Sequence, residues 1–162
     1  MLGIPADYGT SRGLSLQPEE SDLVSIGSSP YGQEVLLSRP AAAAWVRMAA
    51  TARSSGIELV AISGFRSVHR QTEIIRRKLE AGEALDAILR TVAAPGYSEH
   101  HTGCAIDVGR PAEPALTEAF ASTPAFRWLE GNASKFGFRL SFPRGNPHGI
   151  AYEPWHWCYR EH

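Results

Sequence analysis

Residues 98–107 read Ser98-Glu-His-His-Thr-Gly-Cys-Ala-Ile-Asp107, and residues 153–156 read Glu153-Pro-Trp-His156. Together these stretches offer enough imidazole and carboxylate groups for three ligands of a zinc ion and one general base. Three such ligands with one open position are typical of catalytic zinc sites, whereas structural sites fill all four positions, mostly with cysteine. Water at the open position is acidified and attacks a carbonyl. The two stretches therefore predict a metal site of the hydrolytic type.

The spacing within each stretch determines how the ligands can converge. His100 and Asp107 are seven residues apart, so they cannot share one face of an uninterrupted strand. Gly103 lies between them and can supply a bend, which places His100 on a loop entering a strand and Asp107 within that strand. Glu153 and His156 are three apart with a proline between them, so the strand is expected to begin after the proline. The helical HExxH motif is absent, which excludes a thermolysin-like zinc helix.

The rest of the chain divides into short helices and strands. Residues 23–26 and 34–37 are apolar runs that flank a turn containing Gly and Pro, a pattern typical of a β-hairpin. Pro40 opens an alanine-rich helix that Gly56 ends. Further strands are predicted at 57–63, 104–108, 138–142 and 155–159, and further helices at 68–79, 84–92 and 124–136. Helices cluster early and strands late, which predicts the α+β class, with helices packed on an antiparallel sheet.

The length of 162 residues fits one domain with a sizeable core. Residues 1–22 are polar and rich in Gly, Ser and Pro, and we expect an irregular lead-in there, followed by a single domain over 23–162. The net charge of −1 and the pI near 6.6 argue against a nucleic-acid partner, which would require a basic face. No run of about 18 apolar residues occurs, so no membrane span is predicted. We expect a monomer.

The N-terminus carries no basic segment followed by a long apolar run, so no signal peptide is visible. This leaves open both a cytoplasmic protein and one whose leader has been removed. Two cysteines, Cys104 and Cys158, do not form a disulfide scaffold. Both flank the predicted metal ligands, so thiolate ligation and a cysteine-dependent hydrolase remain alternatives. Buried apolar cysteine is the default interpretation.

Three spaced motifs match a known family. The pattern S-x-H-x-x-G-x-A-x-D occupies residues 98–107, and E-x-x-H occupies residues 153–156. Upstream, Ser63-Gly-Phe-Arg-Ser67 followed by Gln71 is similar to the segment S-G-[YF]-R-S-x-x-x-Q. In this order the motifs resemble the VanY-type D-alanyl-D-alanine carboxypeptidases of the lysostaphin/D-Ala-D-Ala-peptidase/hedgehog superfamily, over roughly residues 34–160. The resemblance implies that superfamily's fold.

The resemblance also implies roles by position. His100, Asp107 and His156 correspond to the family's zinc ligands, so Zn²⁺ is the expected cofactor. Glu153 corresponds to the general base. Arg66 corresponds to the arginine that stabilises the developing oxyanion or holds the carboxyl end of the peptide. Each of these residues alone has another interpretation; His156, for example, could be a histidine packed between Trp155 and Trp157. Only the joint occurrence of the residues favours the catalytic assignment.

The family pattern extends to the substrate pocket. Gln71 and Ser98 correspond to positions that shape it, and Tyr97 and Trp155 are expected in its walls, with residues 109–123 and 143–152 as further candidate walls. Position 101 is His where the family pattern has Gln, so a second imidazole adjoins the expected ligand and could be questioned as the zinc ligand. The motif register favours His100.

The activity implied by the resemblance is removal of terminal D-alanine from peptidoglycan stem peptides or other D-Ala-D-Ala-terminated peptides. A D-Ala-D-Ala dipeptidase, an L,D-carboxypeptidase and a peptidoglycan endopeptidase use the same kind of site and remain alternatives. A non-catalytic zinc-stabilised binding module is a further alternative, although such a module would need neither Glu153 nor Arg66. The family suggests the cell envelope as location.

Overall fold

The computed structural model describes residues 1–112 and 116–161. Part of the predicted wall 109–123 and the terminal His162 lie outside the described residues. The helices are α1 (Tyr8–Arg12), α2 (Arg39–Ser54), α3 (Val68–Glu80), α4 (Leu85–Ile88) and α5 (Pro124–Asn132), with 3₁₀ turns at Glu99–Thr102, Glu118–Ser122 and Ala133–Phe136. The strands are β1 (Leu23–Ser28), β2 (Glu34–Ser38), β3 (Val60–Ser63), β4 (Ala105–Gly109), β5 (Phe138–Leu140) and β6 (His156–Tyr159).

A four-stranded antiparallel sheet in the order β3-β4-β6-β5 forms the centre of the molecule. The predicted hairpin β1-β2 is present as a separate antiparallel pair with an irregularity between Ser25 and Ser28. The predicted α+β class with an antiparallel sheet is therefore confirmed.

The main core lies between this sheet and helices α2 and α5. Helix α2 buries Trp45, Met48 and Ala52 at helical spacing, and their partners in the core include Ile106 of β4 and Trp157 of β6. Alternate residues of a strand point to opposite faces of a sheet. Asp107 of β4 and His156 of β6 are next to these core residues in sequence, so their side chains point away from the core.

Several predicted elements are shorter in the structure: helix α5 ends at Asn132 and is followed by a 3₁₀ turn, and strand β5 ends at Leu140. The strand expected from residue 57 begins only at Val60, because the Ile57 N–H donates to Ala52 O at 2.9 Å and so completes the end of helix α2. The helix expected over 84–92 ends at Ile88, beyond which Thr91 N–H and Val92 N–H both donate to Ile88 O. The chain then turns towards the 98–103 segment.

The N-terminal segment differs from the irregular lead-in that its composition predicts. It contains the one-turn helix α1, which ends at Gly13 with φ of 61°. Tyr8 of this helix is 2% exposed and belongs to a second apolar cluster with Ile75, Ile88 and Leu89. Apolar residues spread thinly through a polar sequence thus suffice to fix this segment on the domain. Among the described residues, no helix is long and apolar enough to cross a membrane.

Candidate active site

Asp107 and His156 are directly opposite each other on neighbouring strands β4 and β6. Asp107 Oδ1 lies 3.3 Å from His156 Nδ1 and 3.3 Å from His100 Nε2. All three side chains are buried, and their potential ligand atoms lie within 4.8 Å of one another. The structure thus brings together the three residues expected to bind zinc.

His100 reaches this cluster from the 3₁₀ turn Glu99–Thr102 rather than from a plain loop. Ser98 caps the turn, since its Oγ accepts from His100 N–H at 3.3 Å, and Gly103 ends it in the left-handed conformation with φ of 68°. His100 Nδ1 donates to Gly64 O at 2.7 Å. This hydrogen bond fixes the tautomer that leaves the Nε2 lone pair facing Asp107.

Glu99 is a site residue that the sequence analysis did not single out. Its Oε1 lies 3.8 Å from His156 Nε2, while its Oε2 accepts from Ser141 Oγ and from Arg160 Nη2, both at 3.1 Å. Burial alone would raise the pKa of Glu99, but the nearby His156 outweighs burial and lowers the pKa to about 2. A carboxylate therefore faces the ring nitrogen of His156 that points away from Asp107.

The electrostatics of the cluster suit a cation. Burial disfavours a charged His156, yet the adjacent carboxylates of Asp107 and Glu99 raise its pKa to about 10. Burial likewise opposes ionisation of Asp107, but His100 and His156 hold the pKa of that carboxyl well below its ordinary range. For His100, burial is the largest cause and lowers the pKa. Among the described residues, none donates a hydrogen bond to the buried Asp107 Oδ1, which is consistent with a role of this oxygen as a metal ligand.

The second imidazole, His101, does not face the cluster. Its Nδ1 donates to Arg66 O at 2.6 Å, and its Nε2 accepts from Gly96 N–H at 3.1 Å. Both ring nitrogens are thus occupied by backbone groups, and burial lowers the pKa of the ring. Of the two neighbouring imidazoles, the structure places only that of His100 in the cluster that could hold a metal ion.

Glu153 is placed beside the cluster on the segment before β6. Its backbone N–H donates to Phe142 O at 3.0 Å, and its Oε2 lies 3.7 Å from His156 Nδ1. The residue is 9% exposed, and burial raises the pKa of its carboxyl to about 7. Such a carboxylate can exchange a proton near neutral pH.

Arg66 faces the same cavity and is oriented by Gln71. Arg66 Nη1 donates to Gln71 Oε1 at 3.0 Å, and Gln71 Nε2 donates to Ala93 O at 2.7 Å. The cavity has a volume of about 210 Å³. Its lining includes all the residues expected at the site, namely Arg66, Gln71, Tyr97, Ser98, His100, Asp107, Glu153, Trp155 and His156, together with apolar residues that include Val92, Phe142 and Ile150.

The two cysteines stay outside this arrangement. Burial, together with the nearby Glu99, raises the pKa of the Cys158 thiol, so it is a poor nucleophile and a poor ligand. Cys104 lies against Ser38 Oγ at 3.6 Å. Neither belongs to the three-residue cluster that could hold a metal ion.

The fold is α+β, and its antiparallel sheet presents a His-Asp-His cluster beside a buried glutamate. This combination is that of the hedgehog-like D-Ala-D-Ala peptidases. The family model described as "VanY: D-alanyl-D-alanine carboxypeptidase" matches residues 34–162. The chain therefore belongs to the VanY family of D-alanyl-D-alanine carboxypeptidases.

Individual relatives agree with this assignment. YodJ of Bacillus subtilis (strain 168) is 38% identical over 131 residues, which cover 78% of this chain and 47% of that protein. The structure of the LD-carboxypeptidase LdcB superposes with a TM-score of 0.79 at 34% identity, covering 87% of this chain and 69% of the other. A mutant of the vancomycin resistance D,D-pentapeptidase VanY in complex with Zn(II) has a TM-score of 0.67 at 25% identity, covering 96% and 82%. The chain spans about half the length of three curated relatives that it matches.

Proposed function

We propose that this protein is a zinc-dependent D-alanyl-D-alanine carboxypeptidase that hydrolyses the terminal peptide bond of cell-wall peptides. The observation that carries the proposal is the convergence of a His-Asp-His cluster, a buried glutamate and an arginine in one cavity. Family membership supplies the substrate class.

The proposed zinc ligands are His100 Nε2, Asp107 Oδ1 and His156 Nδ1. Two imidazole nitrogens and one carboxylate oxygen are a usual donor set for catalytic zinc. When bound there, zinc supplies Lewis acidity, which lowers the pKa of water and polarises a carbonyl oxygen. The Zn(II) complex of the related VanY pentapeptidase supports this choice of metal.

Glu153 is the proposed general base. Its carboxylate accepts a proton from the attacking water as the carbon–oxygen bond forms, and returns a proton to the amine nitrogen as the carbon–nitrogen bond breaks. Its burial and its position beside the ligand cluster support this role. Phe142 O holds the backbone of Glu153 through a hydrogen bond, which limits the directions from which the carboxylate can approach.

Arg66 is proposed to bind the carboxyl end of the peptide or the developing oxyanion. A guanidinium presents a planar fork of donors that matches either group. Gln71 Oε1 accepts from one nitrogen of the Arg66 guanidinium, and Gln71 Nε2 donates to Ala93 O. Because Gln71 is fixed in this way, it orients the guanidinium, whose other N–H groups can bind the substrate. Gln71 and Ser98 shape this end of the pocket, and Tyr97 and Trp155 form walls.

An L,D-carboxypeptidase is the second candidate. It is favoured by the similarity to the LD-carboxypeptidase LdcB, which has the higher TM-score of the two solved structures compared above. The chemistry at the scissile bond is the same, so the two activities differ only in the stereochemistry of the residue before it.

The test measures D-alanine release from two peptides: a pentapeptide that ends in D-Ala-D-Ala, and a tetrapeptide whose terminal D-Ala follows an amino acid linked through its L stereocentre. Each peptide is incubated with zinc-loaded protein, with chelated protein and with Glu153→Gln. We expect release that requires metal, and a loss of about 100- to 10,000-fold in kcat for Glu153→Gln because a general base is removed. The variant should still bind one zinc per chain, measured by elemental analysis.

Glu80→Gln is the matched control, since Glu80 is an exposed glutamate at the end of helix α3. It should retain full activity. Zinc binding without hydrolysis of either peptide would instead identify a binding module, and loss of zinc binding in Glu153→Gln would refute the role given to Glu153.

A further inference from the structure

The N-terminal segment is built into the outside of the substrate cavity. No residue of 1–20 lines that cavity, and the family model begins only at residue 34. Yet helix α1 packs directly on Tyr97, a wall residue, with ring centroids of Tyr8 and Tyr97 at 5.2 Å in an edge-to-face arrangement. A side chain at Gly9 would collide with the Tyr97 ring, so the helix and this wall are in close contact.

The first wall of the cavity, residues 89–97, is held by hydrogen bonds from this segment. Tyr8 Oη accepts from Ala94 N–H at 3.1 Å, and Gln17 N–H donates to Gly96 O at 2.7 Å. Thr91, Val92 and Ala93, which immediately precede these contacts in the chain, line the cavity. The position of this wall is therefore set from its outer side by the N-terminal segment.

The second wall, residues 146–151, meets the first through Arg12. Arg12 Nη1 donates to Leu89 O at 2.9 Å and to Gly149 O at 3.1 Å, which joins the two walls through a single nitrogen. The backbone O of Arg12 also accepts from His148 Nδ1 at 2.9 Å. Only one direct backbone bond in the described residues links the same two walls, from Ala151 N–H to Arg90 O at 2.8 Å.

The chemistry of Arg12 suits this bridging role. Its guanidinium lies over the Tyr8 ring at 4.7 Å, which fixes its plane. A planar, permanently charged fork can serve carbonyls from separate segments at once, whereas a lysine ammonium is a compact point donor on a flexible stem. Gly149 has φ of 65° and allows the guanidinium within 3.1 Å of the place where a Cβ would stand.

We propose that Arg12 is a positioning residue for substrate. It holds the first wall (residues 89–97) and the second wall (residues 146–151) at a fixed separation, and so sets the width of the cavity that accepts the end of a short peptide. This inference rests on the proposed peptidase function. Arg12 is expected to affect binding rather than the chemical step, because the two walls that it joins contribute Val92 and Ile150 to the cavity lining, whereas Asp107 and His156 lie on the central sheet.

The experiment compares wild type, Arg12→Ala and Arg12→Lys as zinc-loaded chains of 162 residues. We expect Arg12→Ala to raise KM about tenfold or more while kcat changes less than about twofold, since displaced walls weaken binding that substrate and transition state share. Arg12→Lys should lie between the two. Met48→Ala, which leaves a cavity in the core beneath helix α2 and away from the substrate pocket, is the stability control and should leave KM unchanged.

Amide hydrogen exchange supplies a readout that needs no activity. In Arg12→Ala, exchange should accelerate about tenfold or more in residues 146–151 and 89–97, and stay unchanged in β4 and β6, because only the walls are released. If the wild type hydrolyses nothing but exchange changes in this local pattern, the proposed function fails and the bridging role of Arg12 stands. If the wild type is active and Arg12→Ala alters neither KM nor local exchange, or exchange accelerates throughout the chain, the bridging role is overturned.

Discussion

At the scale of single residues, the site is defined by which nitrogen of each histidine is free. His100 gives Nδ1 to Gly64 O, His101 gives both nitrogens to the backbone, and His156 turns Nε2 towards Glu99. The two histidines next to each other in sequence therefore have different roles because of their partners, and not because of their residue type. The free nitrogens of His100 and His156 meet at Asp107.

The motif predicted His100, Asp107, Glu153, His156 and Arg66 as neighbours, and the structure brings them to one cavity. Glu99 was missed because a glutamate at the start of a helical turn is ordinarily a solvated residue. Its burial depends on Ser141 and Arg160, which lie 42 and 61 residues away in the chain. A local pattern carries no signal of such contacts.

The affinity for zinc should depend strongly on pH because of His156. Its pKa of about 10 means that the metal-free protein holds a proton on this ring at neutral pH, and a bound metal must displace it. We therefore expect affinity to increase about tenfold per pH unit from about pH 6 to about pH 8. Calorimetry in buffers of different ionisation enthalpy should find about one proton released per zinc at pH 7. A pH-independent affinity would contradict protonation of His156.

At the scale of elements, the boundaries that the sequence predicted well were those marked by glycine or proline. Helix α2 ends before Gly56, which has φ of 77°, and helix α5 begins at Pro124. The error at the start of β3 occurred where strand-like composition competed with the hydrogen bonds that end helix α2. Residues 57–59 have strand-like composition but follow the end of helix α2 and pair with no strand, since the Ile57 N–H is used by Ala52 O.

Gly64 connects the central sheet to the β1-β2 hairpin, and this contact is expected to be intolerant of a side chain. A Cβ there would collide with Leu36 O and approach Val35 Cγ1 at 2.9 Å. Gly64→Ala should lower the free energy of unfolding by about 1–3 kcal/mol through overpacking. It should also weaken zinc binding, because Gly64 O orients His100. Urea unfolding measures the first effect and competition with a chromophoric chelator the second.

Gly131→Ala is the matched control for this prediction. Gly131 lies within helix α5, and an added Cβ there would meet nothing within 4 Å. This change should raise the free energy of unfolding by about 0.5–1 kcal/mol, since alanine favours helix. Equal effects of the two substitutions would contradict the steric argument.

At the scale of the whole molecule, the candidate ligands come from three separate places: the 3₁₀ turn Glu99–Thr102, strand β4 and strand β6. A metal that binds all three binds the folded chain and not the unfolded one. Free zinc at about 100 times its dissociation constant should stabilise the fold by about 2.7 kcal/mol, which for a chain of this size raises the melting temperature by about 5–10 °C. Thermal denaturation with zinc and with chelator measures the shift.

Two histidine variants provide the controls for that shift. His156→Ala should abolish it, whereas His69→Ala should preserve it, because His69 is an exposed residue of helix α3 whose only described ion pair is with Glu73. A shift of equal size in His156→Ala would mean that zinc stabilises the chain from another place.

The whole-molecule role of residues 1–20 was beyond what the sequence predicted. Their polar composition is typical of an irregular lead-in, and their domain assignment remains a prediction. The contacts that fix them, from Arg12 to Leu89 O and Gly149 O, span 77 and 137 residues. Such contacts follow from the arrangement of the finished fold and leave no periodic pattern in the segment itself.

The pairing of Asp107 with His156 across β4 and β6 has a consequence for metal exchange by protein engineering. Two of the three proposed ligands inherit their spacing from the hydrogen-bonded backbone of a sheet, which cannot widen for a larger ion without breaking the ladder. His100 alone sits on a short turn, outside that ladder. An engineer who wishes to accommodate a different metal should therefore redesign residues 98–103 and leave the strands untouched.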